Sequence, residues 1–137
     1  MNSYVVDASV IVGALFEESK TVLSYFTKIF DSKIGKKTIV YSSYLLPFEV
    51  ANVCRFKLKE SQLAKEIYEK FCQLPINYIS LDTYQIRQAL ILAYETQTSV
   101  YDASYHLLAY FQGGTFLTCD KEYYQKVKQK GNIKLVS

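Results

Sequence analysis

Four carboxylates stand where an isolated acid gains least from its surroundings: Asp7 behind Val5-Val6, Glu49 amid Leu45-Leu46-Pro47-Phe48, Asp102 ahead of an apolar helix, and Asp120 behind Phe116-Leu117. If the fold gathers them, their mutual repulsion is large unless divalent cations bind. Hard oxygen ligands of this kind select Mg²⁺ or Mn²⁺ over zinc. Each acid also has a structural alternative. Asp7 and Asp120 can cap the helices that follow them, and Ser99-x-x-Asp102 has the pattern of a capping box. Glu49 is different. Its helical neighbours at three, four and seven residues include Leu45, Leu46, Asn52, Val53 and Phe56, so an ion there is expected to be largely desolvated unless something pairs with it. Arg55, six residues on, points to another face. Asp82 serves as a control, because it too ends a strand and opens a helix, and local pattern alone does not exclude it.

The elements that must position these acids follow from hydrophobic periodicity. Strands are predicted at Ser3–Val6, Thr38–Ser42, Asn77–Ser80, Thr115–Thr118 and Ile133–Val136. Helices are predicted over Ala8–Phe16, Ser19–Phe30, Leu45–Lys59, from a Ser61 cap to Gln73, over Asp82–Glu95, Ser99–Phe111 and Asp120–Lys130, with a polar turn at Asp31–Lys37. Helical material lies in every gap between strands, which predicts a parallel α/β sheet covered on both faces. Right-handed crossovers then put all strand carboxyl ends on one edge, where such sheets hold ligands.

The bulk properties suit one domain over residues 1–137. Half of the 137 residues are hydrophobic and 21% are charged, ordinary values for a folded chain with its own core. No apolar run spans a bilayer, and Met1-Asn2-Ser3 runs straight into a strand-like segment, so a cytoplasmic protein is expected. Cys54, Cys72 and Cys119 are too far apart for a zinc site and odd in number, which suits free thiols. The net charge of +3 permits a polyanionic partner without demanding one. Lysines cluster at Lys33-Lys36-Lys37, Arg55-Lys57-Lys59 and Lys121-Lys126-Lys128-Lys130, all readable as solvated faces. The single histidine, His106, lies one turn from Asp102 and reads as a packing or surface residue.

Four stretches carry a family resemblance. Val5-Val6-Asp7-Ala8-Ser9 resembles the opening of the PIN domain family, particularly its small VapC-like toxins. Pro47-Phe48-Glu49-Val50-Ala51-Asn52-Val53 is similar to the second motif, Val100-Tyr101-Asp102-Ala103-Ser104-Tyr105 to the third, and Phe116-Leu117-Thr118-Cys119-Asp120 to the fourth. The four occur in order and cover essentially the whole chain. The resemblance implies a three-layer α/β/α sandwich around a five-stranded parallel sheet. It implies that Asp7, Glu49, Asp102 and Asp120 are catalytic residues binding Mg²⁺ or Mn²⁺, with Ser9, Asn52 and Thr118 supporting them. Asp82 matches no such position and is left as a cap. The implied activity is a metal-dependent endoribonuclease, the toxin of a toxin–antitoxin pair, leaving a 5′-phosphate and a 3′-hydroxyl. The implied partners are RNA, a cognate antitoxin and a second copy of the chain. The abundance of tyrosine (13 residues) and the scarcity of arginine (Arg55 and Arg87) depart from the pattern and leave the grip on a substrate backbone unassigned.

Two other readings compete. Phosphoacceptor chemistry at a strand-end aspartate needs a second acid beside it, and Asp7-Ala8-Ser9 supplies none, although Lys121 follows a late strand. A degenerate PIN module that binds RNA or protein without cutting usually has lost an acid, and here all four remain.

Overall fold

A computed structural model describes residues 2–31 and 38–137. Its elements in chain order are β1 (Asn2–Val6), α1 (Ala8–Leu15), α2 (Lys20–Phe30), β2 (Thr38–Ser43), α3 (Leu46–Lys57), α4 (Ser61–Cys72), β3 (Ile76–Ile79), α5 (Thr83–Thr96), α6 (Val100–Phe111), β4 (Thr115–Thr118), α7 (Lys121–Val127) and β5 (Ile133–Leu135). The five strands form one sheet in the order β3-β2-β1-β4-β5, and every neighbouring pair is parallel. The expected α/β sheet with helices on both faces is therefore present. The predicted turn at Asp31–Lys37, with its three lysines, lies almost wholly outside the described residues.

Alternation along a strand explains why both faces are covered. Val6 and Leu117 enter the core made with α1, α2, α3 and α4, whereas Val5 and Phe116, one residue earlier, enter the core made with α6 and α7. Helix α5 packs on α6 through Ala89, Leu92, Ala93 and Ala103. Burial is complete at the sheet centre, where Val5, Val6 and Leu117 have no exposure. The edge strands β3 and β5 are only half-buried.

Helix ends differ from expectation in instructive ways. Ser61 does not cap α4; it is the first helical residue, and the preceding Glu60 makes no side-chain cap bond. The last predicted helix stops at Val127 and tightens into a 3₁₀ turn at Lys128–Lys130 before Gly131. Helix α6 ends in a Schellman arrangement, with the Gly113 amide donating to Tyr110 O and the Gly114 amide to Ala109 O at 2.8 Å. Gly113 has φ 65°. A Cβ on Gly114 would lie 2.6 Å from the Ser3 carbonyl of β1, so glycine lets the chain drop directly into β4. Among the described residues no helix is long and apolar enough to cross a membrane.

Candidate functional site

The winding of the sheet reverses between β1 and β4: from β1 the chain moves outward through β2 to β3, then returns to place β4 on the other side of β1. Such a reversal opens a crevice at the carboxyl ends of the two strands. Asp7 is the first residue after β1, and Asp120 is the second after β4.

The two strand ends are tied through hydroxyls. Asp7 Oδ1 accepts from the amides of Ser9 (3.0 Å) and Val10 (3.4 Å), capping α1, and from the Ser9 hydroxyl. Its other oxygen accepts from Thr118 Oγ1 at 2.7 Å. Thr118 Oγ1 in turn accepts from the Asp120 amide at 3.1 Å, and Ser9 Oγ accepts from the Cys119 amide at 2.9 Å. Asp120 then caps α7 through the Tyr123 amide at 2.9 Å. Burial pushes the Asp7 carboxyl up to about 6, against the opposing pull of the Ser9 and Thr118 hydroxyls and the Val10 and Ser9 amides. Capping and crowding thus coexist at Asp7, and the structural alternative does not displace the chemical one.

Glu49 and Asp102 arrive on helices, each in the first turn, of α3 and α6 respectively. The sequence argument for Glu49 needs correction. Glu49 itself is exposed, and the flanking Phe48 and Phe56 are 79% and 76% exposed, so its helical neighbours do not bury it. What holds it is the hydroxyl of Tyr105, a ring only 1% exposed, which donates to Glu49 Oε1. Partial burial raises the Glu49 carboxyl, the Tyr105 bond opposes, and the Asp102 charge raises it further. Asp102 is likewise raised by burial, lowered by Ser99 and raised by Asp120. The Ser99 hydroxyl also accepts from the Asp102 amide at 3.0 Å, so Ser99 caps α6.

Two tyrosines each sense more than one of the acids. Tyr105 is raised first by burial and its bond to Glu49, then by the charges of Glu49 and Asp7. Tyr123 is raised by burial and by Asp102, Asp120 and Asp7. Asp102 and Asp120 share a cavity of about 220 Å³ with Ser99, Tyr123 and Lys126. The sequence reading missed both rings. The available signal was their spacing, three residues after Asp102 and after Asp120, which puts ring and acid on one side of a helix.

The donor set is oxygen-rich and free of soft ligands. The Cys119 thiol, pushed up to about 11 by burial, stays protonated. His106 is buried and occupied: Nε2 lies 2.7 Å from Gly131 O and Nδ1 3.0 Å from Tyr123 Oη. A carbonyl can only accept, so Nε2 carries the proton and Nδ1 accepts from the tyrosine hydroxyl. In kind, then, the acids fit a hard divalent cation. In spacing they stand open, since among the described residues no three Asp, Glu, His or Cys side chains close into a metal-holding group. Ser9 and Thr118 contact Asp7 as described, whereas Asn52 is exposed one turn beyond Glu49. Asp82 completes a capping box with Gln85, its carboxylate taking the Gln85 amide at 2.8 Å and the Gln85 side chain taking the Asp82 amide at 2.9 Å.

Comparison with known proteins agrees with this fold. The family described as PIN domain matches residues 4–129. No curated protein matches the sequence. Among solved structures, VapBC2 from Rickettsia felis, bound to a promoter DNA fragment, is similar with TM-score 0.71 and 11% identity over 98% of this chain and 99% of that one. VapC20 from Mycobacterium tuberculosis, described as a Sarcin-Ricin loop cleaving toxin, has TM-score 0.69 and 12% identity over 98% and 99%. A toxin–antitoxin complex from Klebsiella pneumoniae has TM-score 0.65 and 11% identity over 96% and 95%. At these identities the likeness is one of fold.

Proposed function

Because this chain belongs to the PIN domain family, we propose that it is a metal-dependent endoribonuclease and the toxin of a toxin–antitoxin pair, acting as one domain over residues 1–137 in the cytoplasm. The family consists in general of nucleases. The observation that carries the reading is the Thr118 hydroxyl, which bonds Asp7 on one side and the Asp120 amide on the other across the reversal of the sheet. Asp7, Asp102 and Asp120 would hold Mg²⁺ or Mn²⁺, with Glu49 ligating directly or through water. When bound there, such an ion would supply an activated water and charge neutralisation at the leaving oxygen of the phosphodiester.

The chain's own residues do the rest. Ser9 and Thr118 fix the Asp7 carboxylate in one orientation, so the central ligand needs no reorganisation when substrate arrives. Glu49 and Asp102 approach from helices on the opposite sheet faces and bring like charges close, an arrangement that favours a cation between them. Asn52, exposed on the same helix as Glu49, is free to meet substrate or solvent of the ion's shell.

The partners follow from kinship and surface. Kinship with toxin–antitoxin complexes supports a cognate antitoxin over the acidic crevice. An apolar groove of about 410 Å³ lined by Tyr44, Phe48, Ile86 and Tyr101 supports pairing with a second copy. The open spacing of the acids favours one rival reading, a PIN module that binds RNA or protein without cutting.

Incubation with a pool of structured RNAs in Mn²⁺, in Mg²⁺ and in EDTA decides between them. The nuclease reading requires new 5′-phosphate and 3′-hydroxyl ends with metal and none in EDTA. Calorimetry that detects no Mn²⁺ binding near neutral pH, with RNA retained and uncut, gives the case to the rival.

A further inference from the structure

Tyr105 makes a contact that ordinary core packing does not require. Its ring is fixed by stacking on Phe116 of β4, with centroids 6.0 Å apart and planes 10° from parallel. Its hydroxyl reaches out of the core to Glu49, 56 residues earlier in the chain and on the opposite side of the sheet. Ser43, buried at the end of β2, also interacts with the same hydroxyl. Ser43 Oγ accepts from the Leu45 amide at 2.9 Å, so its proton is free to point at the tyrosine oxygen. The tyrosine proton is directed to the Glu49 carboxylate.

The other partner is an exposed glutamate with three side-chain torsions, which makes no salt bridge among the described residues. Left alone, such a side chain samples many rotamers. Tyr105 lies on the same side of α6 as Asp102, three residues away, so the rotamer it selects is the one that turns Glu49 toward another negative charge.

We infer that Tyr105 is a positioning residue: its hydroxyl selects the Glu49 rotamer that faces Asp102 and so completes the acidic crevice from the α3 side. The inference rests on the proposed metal-dependent function for its purpose, but the positioning itself can be measured without metal. In the metal-free chain, side-chain couplings from NMR report Glu49 in a single rotamer in the wild type and averaged in Tyr105→Phe. An unchanged rotamer in Tyr105→Phe overturns the inference, even if no metal ever binds. With Mn²⁺, calorimetry of Tyr105→Phe gives about 10-fold weaker binding, the size seen when a group orienting a metal ligand is lost. RNA cleavage by that variant shows the deficit at limiting Mn²⁺ and recovers at saturation. In a Glu49→Gln background the same Tyr105→Phe change alters Mn²⁺ affinity less than twofold, whereas a purely structural role predicts equal losses in both backgrounds. Glu49→Asp, made on an exposed position that does not threaten folding, shortens the side chain beyond reach of Tyr105 and weakens Mn²⁺ binding about as much as Tyr105→Phe; wild-type affinity in Glu49→Asp sinks the inference. A wild-type chain that binds no Mn²⁺ instead sinks the nuclease reading and leaves the rotamer measurement to decide on Tyr105.

Discussion

Asp7 and Asp82 obey the same local grammar and end in different circumstances. Each follows a strand and caps the helix behind it through an amide two or three residues on. Asp7 leaves the central strand, where the neighbouring β4 lends Thr118 and where the sheet reverses its winding. Asp82 leaves β3 at the sheet edge, is exposed, and takes its second partner from its own helix. The difference lies in sheet order, which no window of sequence around either residue contains. A strand-end aspartate is a capping group by default; at Asp7 a parallel neighbour on the far side of a reversal brings further oxygens to it, which is what the proposed ligand role requires.

The largest effect expected from this contrast is at Asp7. Asp7→Asn keeps the cap and the shape but removes the charge, and RNA cleavage falls by about 1000-fold, some 4 kcal/mol of transition-state stabilisation. The fold survives. Cleavage at the wild-type rate by Asp7→Asn would remove Asp7 from the chemistry and put it beside Asp82.

The same substitution changes stability with pH in a calculable direction. The Asp7 carboxyl rises to about 6 on folding from an ordinary 3.8, so between these values the folded chain binds more protons than the unfolded one. Folded stability therefore drops as pH rises through that window, by at most about 3 kcal/mol, and is flat in this group above it. Buried His106, lowered below its usual value, acts in the opposite sense as pH falls. The difference between variant and wild type isolates Asp7. In EDTA, Asp7→Asn is expected to melt higher than wild type at pH 7.5 and level with it near pH 4. A constant difference across this range would mean that Asp7 is not desolvated.

Much of this was legible beforehand and some was not. Strand–helix alternation yielded the parallel sheet, since breakers such as Gly113-Gly114 separate the helical stripes from β-type runs such as Phe116-Leu117-Thr118. The positions of the strand-end acids followed from that. The environment of Glu49 did not, because helical periodicity identifies neighbours on α3 and says nothing of whether Phe48 and Phe56 face a core. Tyr105 and Tyr123 were lost among thirteen tyrosines, for their significance lies in partners 56 and 17 residues away. Ser61 failed as a cap because Glu60 already holds the extended backbone that a cap position needs.

Thr118→Val sharpens the comparison at intermediate size. Valine matches the shape of threonine but leaves the Asp120 amide without its acceptor and Asp7 without one donor, at a site with no solvent exposure. A loss of about 1–3 kcal/mol is expected in urea unfolding, with about a 10-fold fall in cleavage. A valine variant as active as wild type would show that the two strand ends need no hydroxyl between them.

The smallest effect belongs to Asp82, and it tests the contrast from the other side. Asp82→Ala removes the acceptor for the Gln85 amide and dissolves the capping box, while the helix it begins remains packed on α6 through Ala89, Leu92 and Ala93. The cost is expected near 1 kcal/mol, read as a shift of the urea midpoint at unchanged slope. RNA cleavage and Mn²⁺ affinity should stay within twofold of wild type, because Asp82 shares no oxygen partner with the four acids. Should Asp82→Ala weaken Mn²⁺ binding as Asp7→Asn does, the edge of the sheet would belong to the site, and position beside the reversal could no longer separate the two capping aspartates.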